Sequence, residues 1–243
     1  MISKNQLKLI RQLGQKKYRK QYNQYLVQGG KNVLELLNSP LNVVNIFATN
    51  EFISTYQGKY QHANFIEADE DVLTKASTLV SNNAAIAIVD MPNAELPKAN
   101  GLILALDGVS DPGNLGTIIR VADWYGIKHI VTSTDSADAY NPKTISATMG
   151  SFVRVSVSQV DLPDYLQSLN LPVYGAFLDG QSVHKTQFTG SGVLLMGSES
   201  HGIREACANL VTNKITIPAF GGAESLNVAM ATGIILDNFK RQA

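Results

Sequence analysis

The chain is poor in the residues that cross-link a protein or hold a metal in it. Cys207 is its one cysteine, so no internal disulfide can form and no cysteine pair is available for a zinc site. The four histidines, His62, His129, His184 and His201, lack the spacing of metal ligands, and no metal is expected. No run of about 18 apolar residues occurs, which argues against a membrane-spanning helix. The opening MISKNQLKLIRQLGQ has no continuous apolar stretch of the kind a secretory signal needs. A cytoplasmic protein without a membrane partner is expected. Three nucleotide and hydrolase signatures are also missing. There is no G-x-x-x-x-G-K-[ST] loop, no G-x-G-x-x-G after a strand, and no G-x-S-x-G elbow.

Acidic residues are absent from the whole leading segment, and that absence is informative. Residues 1–34 carry eight basic side chains (Lys4, Lys8, Arg11, Lys16, Lys17, Arg19, Lys20 and Lys31) and no acid. The formal net charge of the 243 residues is nevertheless zero, because the rest of the chain holds all 20 acids. A basic leading segment on an acidic body suggests a polyanionic partner gripped at one end, although a solvated helix face gives the same pattern. Lys16, Lys17, Arg19 and Lys20 are the candidates for gripping such a polyanion. Tyr18, Tyr22 and Tyr25 lie among or just after these charges, where they can stack on bases or pack as one helix stripe.

What is present elsewhere is a globular composition, 44% hydrophobic and 16% charged, of a length for one large or two smaller domains. Helical periodicity runs to about residue 22 and is followed by strands at 25–28, 43–49, 62–68 and 85–90, with helices over 31–38 and 69–77. DMPNAELPKANG (90–101) reads as a linker, dividing a domain 1–95 from a domain 96–243. Beyond it, strands are expected at 102–107, 129–133, 152–157, 173–178, 193–198 and 214–219. Helices are expected at 114–126, 142–149, 161–169, 203–209 and 225–241. Near-continuous apolar strands alternating with helices predict an α/β fold with a parallel sheet covered on both faces. The last helix is apolar around most of its circumference and must be covered inside the subunit or by a second copy, which points to a homodimer.

Three loops follow strand ends, where open α/β sheets bind ligands. They are DGVSDPGNLGTIIRVADWYGI, MGSESHGI and IPAFGGAESLNVAMATGIIL. Taken singly, Asn114 and Ser225 are equally consistent with N-caps, and Glu199 and Arg120 with ordinary surface residues.

Taken together, NLGTIIRVADWYG, MGSESHGI and IPAFGGAESLNVAMATGIIL resemble, in order, the three motifs of the SpoU/TrmH family of RNA 2′-O-ribose methyltransferases, within the SPOUT class. The likeness spans about 140 residues, from Leu102 to the C-terminus. KKYRKQYNQYLVQGGKNVLELL is similar to the family's small α/β, ribosomal-protein-like RNA-binding domain, except that Gln28 stands where the family usually has an acid. The resemblance implies a C-terminal parallel-sheet domain knotted as a trefoil, and S-adenosylmethionine as methyl donor. It places the cofactor at Met196, Gly197, Ile217, Pro218 and Leu226. Arg120 is implied as the catalytic residue, with Asn114, Glu199, Ser225 and Asn227 positioning it, the substrate and the cofactor. Guanidinium resists deprotonation, so the position of Arg120 is a firmer expectation than a role as base. Structured ribosomal RNA is the expected substrate. The rival readings are transfer RNA and a non-catalytic RNA-binding or assembly factor. A flavodoxin-like redox protein fails for want of a phosphate loop at the first strand end.

Overall fold

Gly14 and Gln15 interrupt the helical pattern at the start of the chain, and two helices form in place of one: α1 (Lys4–Leu13) and α2 (Lys16–Tyr22). Ser3 and Gln6 make a reciprocal capping box on α1, each satisfying an amide that the first helical turn leaves without a partner. The computed structural model describes residues 2–93, 96 and 101–242. Most of the expected linker at 90–101, and with it the boundary at 95/96, lies outside the described residues.

The contacts divide the chain into two units, Met1–Asn93 with Asp138–Val153, and Ala94–Ala137 with Arg154–Ala243. In the first unit the chain continues through β1 (Gln24–Gln28), α3 (Gly30–Leu37), β2 (Val43–Ala48), α4 (Asn50–Tyr56), β3 (Phe65–Glu67), α5 (Glu70–Ala76) and β4 (Ala85–Asp90). Helix α4 is not expected from the sequence; Thr49 caps it by accepting from the Phe52 amide. The four strands form a sheet in the order β1-β4-β2-β3, with β4 antiparallel to both neighbours and β3 parallel to β2. Gln28 ends β1 fully buried. Its Oε1 accepts from the Ser77 hydroxyl (2.6 Å) and the Thr78 amide (2.8 Å), and its Nε2 donates to the Thr78 hydroxyl (3.1 Å). An amide oxygen thus performs the acceptor duty available to an acid at this position, without a buried charge.

The second unit opens with β5 (Leu102–Asp107), α6 (Pro112–Trp124) and β6 (His129–Ser133). Asp111 caps α6, with Pro112 at its first turn, so the helix starts two residues before Asn114, which is not the cap. After β6 the chain adds α7 (Pro142–Ala147) and a 3-10 turn at Ser151–Val153 to the first unit. There Ile145, Tyr140 and Phe152 join the core of Tyr25, Val27 and Val33, and the Tyr25 and Tyr140 rings lie 4.7 Å apart. Gly150, at φ +101°, is required: a Cβ there would lie 2.4 Å from Glu35 Cγ. The strand expected at 152–157 is displaced for the same reason. Phe152 and Val153 serve the first unit, and β7 (Ser156–Val160) begins after them.

The remaining elements are α8 (Leu162–Gln167), β8 (Val173–Ser182), β9 (Gly192–Gly197), α9 (Glu205–Ala208), β10 (Asn213–Thr216) and α10 (Val228–Lys240). All six strands of this sheet are parallel, in the order β10-β8-β9-β5-β6-β7. The core lies on both faces: Leu104, Leu106 and Ile130 pack with α6 and α10, while Ile103, Val131 and Leu195 pack with α8 and α9. Lys214 pairs with Gly175 but Ile215 with Gln181, so residues 176–180 of β8 arch out of the ladder. Burial pushes the Cys207 thiol up to about 11, with Asp107 adding to it, which makes it a poor nucleophile at neutral pH. No helix among the described residues is long and apolar enough to cross a membrane.

Candidate active site

Strands β5 and β9 are neighbours, with Asp107 opposite Gly197 in the register. After β5 the chain runs outward to β6 and β7 and then returns to the other side of β5. The two ends therefore flank a topological switch point, where parallel sheets open a crevice. The loop after β9 folds tightly onto itself. Ser198 and Gly202 exchange backbone hydrogen bonds (3.1 and 2.9 Å), and a Cβ on Gly197 would lie 2.1 Å from the Gly202 carbonyl carbon. Only glycine permits that approach.

The turn presents Glu199 to the starts of both α6 and α10. Glu199 Oε1 accepts from Asn114 Nδ2 (2.9 Å) and from Asn227 Nδ2 (2.8 Å), and Asn227 Nδ2 also donates to Asn114 Oδ1 (3.0 Å). Asn227 Oδ1 accepts from the amides of Ala229 and Met230, capping α10. One side chain from each of three loops, separated by up to 113 residues, thus closes a single hydrogen-bonded cluster. Asn227, and not Ser225, is the N-cap of this helix. Ser225 itself is exposed on the rim of the adjoining cleft and makes no hydrogen bond to a described residue.

That cleft has a volume of about 720 Å³, within the usual range for a small-molecule site. Met196, Gly197, Ile217, Pro218 and Leu226 all line it, as do Glu199, Phe177 and Leu178, the last two from the arch of β8. Apolar walls with carboxylates at the rim suit a flat heterocycle attached to a cationic centre. The residues present therefore fit S-adenosylmethionine, with Glu199 shared between the cleft and the asparagine cluster. Arg120 is not part of the cleft lining. It lies on a stripe of α6 formed by the half-buried Asn114 and the exposed Thr117, Arg120 and Trp124, at steps of three and four residues. Its side chain makes no hydrogen bond or ion pair to a described residue.

A second polar cluster is not foreseen by the motifs. Asp107, fully buried at the end of β5, accepts from the Arg204 amide (2.8 Å) and from Arg204 Nε (2.8 Å) and Nη2. Arg204 Nη1 donates onward to Asp135 (3.0 Å), just beyond β6. The Asp107 hydrogen bonds push the Arg204 guanidinium pKa further up. A hydrogen bond from Ser133, with a further one from Arg204, lowers that of Asp135 against an opposing effect of burial. Arg204 thereby clips the far end of the Glu199 turn to the ends of β5 and β6. The one signal for it in the sequence is an acid closing an otherwise apolar strand, LILALD.

Arg19 departs from its expected place at an RNA surface, because its side chain is 1% exposed. Its Nη1 donates to the carbonyls of Leu13 (3.0 Å) and Gly14 (2.9 Å), and its Nε and Nη2 donate to Asp138 Oδ2 (3.2 and 2.6 Å). Arg19 satisfies carbonyls that the end of α1 leaves open, and its burial keeps it from a phosphate. Lys16, Lys17 and Lys20 are exposed.

Residues 101–237 match the SpoU rRNA Methylase family, and residues 4–87 match an MRM3-like substrate binding domain. The chain is 33% identical over 241 residues, 96% of each protein, to the 23S rRNA (guanosine(2553)-2′-O)-methyltransferase RlmP of Bacillus subtilis strain 168. A putative RNA methyltransferase of the TrmH family from Porphyromonas gingivalis superposes with a TM-score of 0.90 at 38% identity, covering 100% of both chains. An AdoMet-bound rRNA methyltransferase from Sinorhizobium meliloti does so with a TM-score of 0.86 at 28% identity, covering 99% of this chain and 97% of that one. With its three loops joined at Asn114, Glu199 and Asn227, the chain belongs to the SpoU rRNA methylase family.

Proposed function

We propose that the chain transfers the methyl group of S-adenosylmethionine to a ribose 2′-hydroxyl of ribosomal RNA, most specifically of 23S rRNA. The observation that carries this reading is the Asn114–Glu199–Asn227 cluster beside the 720 Å³ cleft. The relative matched over 96% of both chains, named for 23S rRNA ribose methylation, supports it.

S-adenosylmethionine, when bound, supplies a sulfonium-activated methyl group. The cleft's apolar walls, from Met196 to Leu226, hold the adenosyl portion and exclude water. Glu199 fixes the two asparagines, and through them the starts of α6 and α10. Arg120, exposed and without a partner among the described residues, binds a backbone phosphate of the substrate by its guanidinium fork. A guanidinium resists acting as a base, so the 2′-hydroxyl proton is relayed to water through the phosphate that Arg120 holds. Ser225, on the cleft rim, contacts substrate or cofactor once the site is filled.

The same proposal includes the residues around the site. The first unit, residues 2–93 with 138–153, is the RNA-binding part, and Lys16, Lys17 and Lys20 contribute to it. The C-terminal segment is knotted through the loops of the second unit, as the family resemblance implies. The active species is a homodimer: Trp124 on α6 is 85% exposed and Met230 on α10 is 62% exposed, large apolar side chains that a second copy would cover. A ribosomal RNA substrate implies action in the cytoplasm.

The test is to incubate the purified chain with methyl-labelled S-adenosylmethionine and unmodified 23S rRNA, then map 2′-O-methyl positions. One labelled ribose is expected, with loss of label for Glu199→Ala. Label on a base, or transfer to tRNA in preference to rRNA, would contradict the reading.

A further inference from the structure

With Arg19 buried in an ion pair, other groups must grip the substrate at this end of the chain. Helices α1 and α2 meet across a shallow groove of about 380 Å³ lined by Lys4, Leu7, Lys8, Arg11, Gln12, Gln15 and Tyr18. Lys4, Lys8 and Arg11 follow one another at steps of four and three, on the side of α1 opposite the buried Ile10 and Leu13. None of the three makes an ion pair with a described residue, and no acid occurs in residues 1–34. Their charge is therefore not ion-paired and is available to a polyanion.

Aromatic side chains give the groove a second property. The Tyr18 and Tyr22 rings are stacked, with centroids 6.4 Å apart and planes 18° from parallel. The Lys17 ammonium lies 5.7 Å from the Tyr18 ring centroid. Tyr22 is well exposed, and its hydroxyl donates to Gln12, so the pair is held in place from the α1 side.

We propose that this groove binds an unpaired segment of the RNA substrate, with phosphates on Lys4, Lys8 and Arg11 and a base laid on Tyr18. The proposal rests on the reading of the substrate as RNA. Lysines alone would serve a duplex equally well, because phosphates are common to both forms. A tyrosine plane is useful only to a base that has left its own stack, and duplex bases have no free face. The Gln12 and Gln15 amides add donors and acceptors for base edges. An acidic protein segment would use the cations but leave the parallel rings without a role.

The experiment measures binding of the full chain, without cofactor, to an unstructured RNA strand and to an RNA hairpin duplex of equal phosphate number, across a salt series. The strand should bind more tightly. Lys4→Ala/Lys8→Ala/Arg11→Ala should lower the slope of log affinity against log salt by about 2, at about 0.7 per phosphate on a single strand. Tyr18→Ala should weaken strand binding by about 5-fold to about 100-fold, leaving duplex binding and the salt slope unchanged, and Tyr18→Phe should restore it. Circular dichroism checks that each variant is folded. Equal affinity for strand and duplex, no effect of Tyr18→Ala, or an unchanged slope for the triple variant would overturn the proposal. So would displacement of the strand by polyglutamate at matched charge, which would point to a protein partner. Methyl transfer by the unaltered chain is measured in parallel. Its failure would count against the proposed activity, while the binding data would still decide the groove.

Discussion

Replacing Arg19 with alanine should damage the fold and spare electrostatic attraction to RNA. The substitution removes four hydrogen bonds, two to the Leu13 and Gly14 carbonyls and two to Asp138 Oδ2. It also leaves the Asp138 carboxylate, with its side chain 16% exposed, without its counter-ion. Removing one partner of such a pair costs about 3–5 kcal/mol. With a urea slope of about 2 kcal/mol per molar, the unfolding midpoint of the first unit should fall by about 2 M. Arg19→Lys keeps the charge but not the fork that reaches two carbonyls and a carboxylate together, so it should recover less than half of the loss. A double-mutant cycle with Asp138→Ala isolates the ion pair, and the coupling should exceed about 1 kcal/mol. The readouts are urea unfolding followed by tyrosine fluorescence and the salt slope of RNA binding measured well below the transition. If Arg19→Ala shifted the midpoint by less than about 0.5 M and flattened the salt slope, Arg19 would be an RNA ligand and the reasoning would fail.

Arg120→Ala should lower methyl transfer by about 100-fold or more, the scale for losing one transition-state donor. Cofactor affinity by calorimetry should stay within about twofold, because Arg120 is outside the cleft lining; a parallel loss of both would contradict that division. The Asp135 carboxyl is held below its usual range, chiefly by Ser133. A depressed folded value contributes stability above the unfolded pKa of about 4 and loses it as pH falls through the lower folded value. Ser133→Ala should therefore move the Asp135 titration upward in a carboxyl-detected NMR series, and an unmoved curve would refute the assignment. Light scattering of the active species should give twice the 26.3 kDa chain mass, and Trp124→Glu with Met230→Glu should give the single mass. A fully active species at 26.3 kDa would defeat the dimer.

Most of the second unit's architecture is legible in the sequence, and the reason is local. Strands such as LILALD and VLLMGS are near-continuous apolar runs, and each is followed by a loop containing glycine or proline that marks its end. The three site loops stand out for the same reason. The closure of Asn114, Glu199 and Asn227 into one cluster is implied only through resemblance, because no local pattern links residues 113 positions apart. The departures have the same origin. Arg19 is indistinguishable from Lys16, Lys17 and Lys20 in its own helix, and what buries it is Asp138. Phe152 has strand-like character, but its side chain is used by the first unit's core. Asp107 is marked only as an acid closing an apolar strand, and Arg204 carries no local signal of their pairing until the turn after β9 brings the two together.

The composition of the first unit has a consequence for how the protein is made. Its core is completed by residues 138–153, and Arg19 and Asp138 are 119 residues apart. At translation rates of about 5–20 residues per second, Arg19 leaves the ribosome on the order of ten seconds before its counter-ion is synthesised. During that interval Tyr25 and its neighbours lack the cover that Tyr140, Ile145 and Phe152 later provide. The nascent chain must carry a basic, incompletely packed unit past the whole of β5, α6 and β6. Completion of the N-terminal unit should therefore wait until the first part of the methyltransferase sheet has emerged, and chaperone occupancy should be greatest over that span. The same order of events means that residues 2–93 cannot be transplanted as a linear cassette, since the piece that finishes them is encoded inside the neighbouring unit.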